Sequence, residues 1–140
     1  MKTKIAVVGL GIGQAHLQYY SQMPDVEIVG AMDVNSDVLK QVSEKFGVKT
    51  FSSVGELLDA TAPDGVSICT PPATHLKLTQ IFAKKGIHIL CEKPMAPRVS
   101  DCEKMIDVCE RNNVFLMLGF KKRFSPTYRF LKENFENDCI

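Results

Sequence analysis

Apolar and polar positions along this chain of 140 residues repeat with two periods that take turns. Short, largely apolar runs stand at Ile5 to Val8, Glu27 to Ala31, Val66 to Cys69, His88 to Cys91 and Val114 to Leu118. Runs of this length, rich in β-branched residues, read as strands covered on both faces, as in parallel sheets. Lys49-Thr50-Phe51 adds a short edge strand. Between the runs the period lengthens. Ser36 to Phe46 sets Val38, Leu39, Val42 and Phe46 on one helical face and stops at Gly47. Thr74 to Lys85 points Leu78, Ile81 and Phe82 inward and closes at Gly86, while Ser100 to Asn112 repeats Cys102, Met105, Ile106 and Cys109 at three- and four-residue steps. Ser53, with Glu56 three residues later, predicts a capping box for a brief helix through Ala60. After Pro126, the positions of Tyr128, Leu131 and Phe135 give a last amphipathic piece.

Strands alternating with helices require right-handed crossovers, which predicts an α/β fold: a doubly wound parallel sheet with helices on both faces, in a single domain. In such a sheet a ligand lies beyond the carboxyl ends of the strands, near the point where strand order reverses. The conformationally special residues fall at those ends: Gly9 to Gly13, Asp33, Thr70 to His75, Glu92 to Pro94 and Gly119 to Arg123.

The first of these stretches shapes the chemistry. Gly9 and Gly11 let the backbone bend sharply and admit a bulky anion close to the main chain, while the following helix aims its unpaired N–H groups at that anion. A pyrophosphate fits there. The dinucleotide fingerprint G-x-G-x-x-G wants a third glycine at position 14, where this chain has Gln14, so close packing of the helix on the strand is the expected casualty. Taken alone, the glycines equally describe a structural strand-to-helix turn. Asp33, 24 positions beyond Gly9, tips the reading toward a dinucleotide, because an acidic residue at about that interval meets the ribose hydroxyls. Its charge repels a 2′-phosphate, so NAD is expected in preference to NADP.

Composition narrows the classes. A hydrophobic content of 45% suits one packed core, and a net charge of +1 leaves no basic excess for a nucleic-acid backbone. Without an apolar stretch of roughly 18 residues, no membrane span is expected, and the reading is a soluble, cytoplasmic protein. Five cysteines without a C-x-x-C pair suggest neither a disulfide framework nor a zinc site; they read as incidental thiols, Cys139 exposed. His16 and His88 read as structural.

With these residues in place, the chain resembles the Gfo/Idh/MocA family of nicotinamide-dependent oxidoreductases, specifically the amino-terminal cofactor domain with its Rossmann fold. Gly9-Leu10-Gly11-Ile12-Gly13 is similar to the phosphate turn of the family, and Thr70-Pro71-Pro72-Ala73-Thr74-His75 to its loop after the fourth strand. Cys91-Glu92-Lys93-Pro94-Met95-Ala96 is similar to its Glu-Lys-Pro signature, and Gly119 to Pro126 to its Gly-Tyr-x-x-Arg-x-x-Pro segment. The resemblance implies cofactor contacts from Gly9, Leu10, Gly11, Ile12, Gly13, Asp33, Thr70, Pro71, His75, Glu92, Lys93 and Arg123. It implies a catalytic Lys93 that hydrogen-bonds the hydroxyl of a sugar, cyclitol or similar polyol. Glu92 either meets the cofactor or orients Lys93; His75 either makes a cofactor or structural contact or caps its helix; Arg123 either reaches the ligand or belongs to a solvated turn.

Family members also carry a second domain for substrate and oligomer. The expectation is therefore a dinucleotide-binding domain over 1–120, with 121–140 as the start of a connection to a missing domain, inactive alone. Two other classes compete: a non-catalytic dinucleotide sensor, against which Lys93 argues, and another nucleotide-binding enzyme such as a methyltransferase, against which the Glu-Lys-Pro and Thr-Pro-Pro loops argue.

Overall fold

A computed structural model describes residues 1–136; Cys139 and its expected exposure lie outside the described residues. Six strands, β1 (Thr3–Val8), β2 (Val26–Met32), β3 (Thr50–Phe51), β4 (Gly65–Ile68), β5 (His88–Cys91) and β6 (Leu116–Leu118), pair in parallel in the order β3-β2-β1-β4-β5-β6. The helices α1 (Gly13–Tyr20), α2 (Ser36–Phe46), α3 (Val54–Ala60), α4 (His75–Ala83), α5 (Val99–Arg111) and α6 (Pro126–Glu136) connect or follow them, with 3₁₀ turns at Pro72–Thr74 and Lys121–Phe124. Strand order reverses between β1 and β4. That is the switch point of a doubly wound Rossmann fold.

Two apolar layers sandwich the sheet. Val7, Leu10, Leu17, Ala31 and Val42 pack α1 and α2 onto one face. On the other, Ala6, Val8, Leu57, Ile68, Phe82 and Met105 join α3, α4 and α5. Burying one such side chain completely is worth about 1.5–3 kcal/mol, and Val7, Leu17, Phe82 and Met105 are all 0% exposed.

Local chemistry fixes the element ends. Asn35 accepts from the N–H groups of Asp37 and Val38 at the start of α2, and Gly47 ends it in the left-handed region at φ 65°. Ser53 Oγ accepts from Glu56 N–H at 3.2 Å, as predicted, but the Glu56 carboxylate returns to Ser52 N–H and hydroxyl instead of completing a reciprocal box with Ser53. The helical run from Thr74 begins as a 3₁₀ turn, because Pro71 and Pro72 fix the approach. Ile106 departs from the expected inward face of α5: Met105 and Cys109 are buried, Cys102 is half-buried and Ile106 is exposed. The stripe of α5 that meets the core is narrower than the spacing suggests.

Candidate functional site

The carboxyl ends of β1, β2 and β4 enclose a groove of about 740 Å³ lined by Gly9, Gly11, Asp33, Thr70, Pro71 and Leu78, among others. Its floor is a turn that tolerates no side chain at its first glycine. Gly9 has φ +89°, and a Cβ there would stand 2.7 Å from both Cys69 C and Thr70 N, so the β1 turn lies directly against β4. Gly11 is the opposite case: no atom lies within 4 Å of where its Cβ would be, and the residue is exposed on the groove.

Gly13, the first residue of α1, supplies the close packing that the fingerprint assigns to position 14. A Cβ on Gly13 would meet Val7 Cγ1 at 2.9 Å and Cys69 Cβ at 3.4 Å. The expected loss of helix-to-strand packing at Gln14 is therefore corrected: Gln14 instead folds its side-chain amide back onto Leu10 O at 3.0 Å.

Backbone donors divide between protein and groove. Leu10 N–H donates to Asp33 Oδ2 at 2.7 Å, and Asn35 N–H donates to Oδ1 at 3.0 Å. The side chain of Leu10 is fully buried, so neither it nor its amide faces the groove. Among the described residues, the amides of Gly11, Ile12 and Gly13 have no protein acceptor, and α1 has no side-chain cap at Ile12. Three such donors at the positive end of a helix, beside a glycine with open space, fit a phosphate-bearing ligand. Asp33 retains lone pairs for hydroxyls on both oxygens.

Beyond β5 and β6 lies a second groove of about 380 Å³, bounded by Lys93, Gly119, Phe120, Lys121, Lys122 and Arg123. Arg123 stacks over the Phe120 ring with its guanidinium carbon 5.7 Å from the centroid. Lys122 donates to Tyr128 Oη at 3.0 Å, which raises the pKa of its ammonium.

For two residues the structure picks out one of the expected alternatives: a structural contact for His75 and a hold on the Lys93 peptide for Glu92. His75 is 0% exposed and touches neither groove: Nε2 lies 2.7 Å from Thr70 O, Nδ1 lies 3.0 Å from Met95 O and 3.2 Å from Cys91 Sγ. Its side chain does not cap α4; it ties the Thr70 loop to the loop after β5. Glu92 is withdrawn beneath the surface, its Oε1 3.2 Å from His16 Nε2 and its Oε2 accepting from Lys93 N–H at 3.1 Å. His16 Nδ1 in turn lies 3.2 Å from Ser67 Oγ, which is 2.7 Å from Tyr20 Oη. This chain was not read from the sequence. Its one signal is Ser67, a hydroxyl inside an apolar strand that must find a partner once buried.

Electrostatics at the switch point favour neutral thiols. Burial, with Glu92 and a neighbouring thiol adding to it, pushes Cys69 up to about 12, and burial does the same to Cys91. Burial also raises the Tyr20 phenol, against the lowering effect of its Ser67 hydrogen bond.

Residues 3–120 match the family model GFO_IDH_MocA, described as an oxidoreductase family with an NAD-binding Rossmann fold. The chain is 34% identical over 139 residues to myo-inositol 2-dehydrogenase of Thermotoga maritima, covering 98% of this chain and 42% of that relative. It is 34% identical over 130 residues to glucose-6-phosphate 3-dehydrogenase of Bacillus subtilis, covering 92% and 37%. Among solved structures, the WlbA dehydrogenase of Bordetella pertussis in complex with NADH and UDP-GlcNAcA superposes with a TM-score of 0.93 at 28% identity, over 98% of this chain and 42% of that one. Scyllo-inositol dehydrogenase of Lactobacillus casei, with bound NAD(H) and scyllo-inositol, gives 0.92 at 26% identity, over 100% and 42%. This chain thus spans about two-fifths of the length of the relatives it matches.

Proposed function

Because this chain belongs to the Gfo/Idh/MocA oxidoreductase family, with its NAD-binding Rossmann fold, we propose that it is the cofactor-binding part of a dehydrogenase acting on a sugar, cyclitol or similar polyol. One observation carries the reading: the Asp33 groove, which lies across the switch point, and the Lys93 groove beyond β5 and β6 open on the same carboxyl edge of the sheet.

In this proposal the amides of Gly11, Ile12 and Gly13 hold the pyrophosphate, and Asp33 accepts from the adenosine ribose hydroxyls. Thr70 and Pro71 wall the groove and keep water from it. When bound, the nicotinamide supplies the hydride acceptor or donor. Lys93 Nζ hydrogen-bonds the substrate hydroxyl; as the uncharged amine it takes the hydroxyl proton on oxidation, and as the ammonium it returns that proton on reduction. Arg123 closes the outer side of the same groove. Residues 1–120 form the dinucleotide domain, and the segment from 121 onward begins the connection to the substrate-holding part. Among the described residues no helix is long and apolar enough to cross a membrane, and the proposal places the protein in the cytoplasm, where NAD is available.

Two measurements test this. Calorimetric titration of the 140-residue chain should show saturable one-site binding of NAD. A screen of inositols and sugar alcohols with the full-length protein, followed at the nicotinamide absorbance band, should find a substrate. Absence of NAD binding overturns the reading; binding without turnover of any polyol reduces it to a dinucleotide-binding module.

A further inference from the structure

We infer that His16 is a positioning residue for Lys93, acting through the Glu92 carboxylate; this rests on the role of Lys93 proposed above. Lys93 follows β5 after one residue, Glu92, and its main-chain N–H has a side chain, not a neighbouring strand, as its acceptor: Glu92 Oε2 at 3.1 Å. Whatever fixes that carboxylate fixes the first peptide of the Lys93 loop. The side chain of Glu92 is only 16% exposed, so its charge needs partners, and His16 Nε2 at 3.2 Å provides one from α1.

The proton pattern is determined by what each group can do. An ionised carboxylate only accepts, so His16 Nε2 carries the hydrogen. In neutral imidazole Nδ1 then accepts, which makes Ser67 Oγ–H the donor at 3.2 Å and leaves Ser67 Oγ to accept from Tyr20 O–H at 2.7 Å. With the imidazole neutral, every hydrogen of the chain points one way, from Tyr20 through Ser67 and His16 to Glu92. Ser67 is 0% exposed in the middle of β4, so the orientation of the imidazole is set by the core of the sheet and not by solvent. From the other side Gly119 closes on the carboxylate: a Cβ there would stand 3.0 Å from Glu92 Oε1.

The consequence is mechanical. Helix α1 presents the free amides of the phosphate turn at its start and His16 one turn later, so one rigid element places both the pyrophosphate cradle and the peptide that carries Lys93.

Hydrogen exchange and kinetics test it together. In the chain itself, His16→Ala should speed exchange of the Lys93 amide about tenfold or more while the Leu90 amide, inside β5, is unchanged. His16→Gln, which keeps a donor for Glu92, should restore protection. Gly119→Ala, which displaces the carboxylate from the opposite side, should reproduce the loss if His16→Ala fails to fold. In the full-length protein His16→Ala should lower kcat about tenfold with the KM for NAD within about twofold, and add nothing to a Lys93→Met background. Unchanged Lys93 exchange in a folded variant, or losses that multiply in the double variant, overturns the inference. If Lys93→Met alone keeps full turnover, the role of Lys93 fails instead, and the exchange result still decides whether His16 holds the peptide.

Discussion

The main-chain N–H of Leu10 donates to Asp33 Oδ2 at 2.7 Å across 23 residues, joining the glycine turn after β1 to the end of β2. With Asn35 N–H on the other oxygen at 3.0 Å, both carboxylate oxygens are held by backbone before any ligand arrives. An acceptor already fixed in place loses little side-chain entropy when hydroxyls bind it. The same bonds keep its negative charge at the mouth of the groove.

In the proposed reading that charge sets the cofactor preference. NAD is expected to bind at least about tenfold more tightly than NADP, since a 2′-phosphate would meet the fixed carboxylate of Asp33 at short range. Asp33→Asn keeps the shape and an acceptor for Leu10 N–H but removes the charge, so the ratio should narrow mainly through better NADP binding. Calorimetry with both cofactors checks it; a ratio unchanged in Asp33→Asn would show that another group discriminates.

Gly9 and Gly11 should respond oppositely to the same added methyl group. Gly9→Ala puts a Cβ against Cys69 and Thr70 backbone atoms that cannot yield and forces alanine to φ +89°, so a loss of about 3 kcal/mol or more, roughly 10 °C in Tm, is expected. Gly11→Ala meets no protein atom and should leave Tm within about 2 °C, yet lower NAD affinity about tenfold by filling the space the pyrophosphate approaches. Thermal melts and titrations of the two variants separate a packing glycine from a binding one.

How much of this was legible in the sequence depends on distance along the chain. The bounds of α2 agree with the sequence because Gly47 marks its end locally and the apolar spacing of Val38, Leu39, Val42 and Phe46 is regular. The place of Asp33 beside the glycine turn was legible because the interval from that turn is itself a structural rule. Which role His75 takes was not: its ring is held by Thr70 O close by in sequence but also by Cys91 Sγ and Met95 O, 16 and 20 residues on. Ser67 and His16 are 51 residues apart, and no local pattern announces that the two meet. Gln14 misled in the other direction, because the fingerprint counts positions whereas packing depends on which residue faces Val7, and that residue is Gly13.

The raised thiols predict an alkaline weakness. Cys69 ionises near its ordinary value of 9 in the unfolded chain but near 12 in the fold, so between those values the unfolded state holds fewer protons than the native one. Stability is therefore fully present below about pH 9 and falls as pH rises toward 12, by about 1 kcal/mol per pH unit for such a thiol. Denaturant midpoints at pH 8, 9 and 10 measure the slope. Cys69→Ala removes one titrating group and should flatten it relative to the unaltered chain, whereas parallel slopes would mean that the thiol is ionised in the fold.

Lys93 is the residue on which chemistry and binding should part. It lines the groove with Phe120 and Arg123, whereas Asp33, Gly11 and Pro71 line the other, so Lys93→Met should leave NAD affinity within about twofold. A positioned proton-transfer group typically contributes 10²–10⁴-fold to rate, so turnover of a polyol by the full-length protein should fall about a hundredfold or more. Methionine keeps most of the length and apolar stem, which limits the change to the amino group. The loss should appear in kcat and kcat/KM alike, because a hydrogen bond that strengthens as the proton moves acts on the transition state more than on substrate binding. Steady-state kinetics beside a cofactor titration decide between the roles. A variant that keeps most of its kcat, or loses NAD binding with it, would make Lys93 a structural residue at the end of β5.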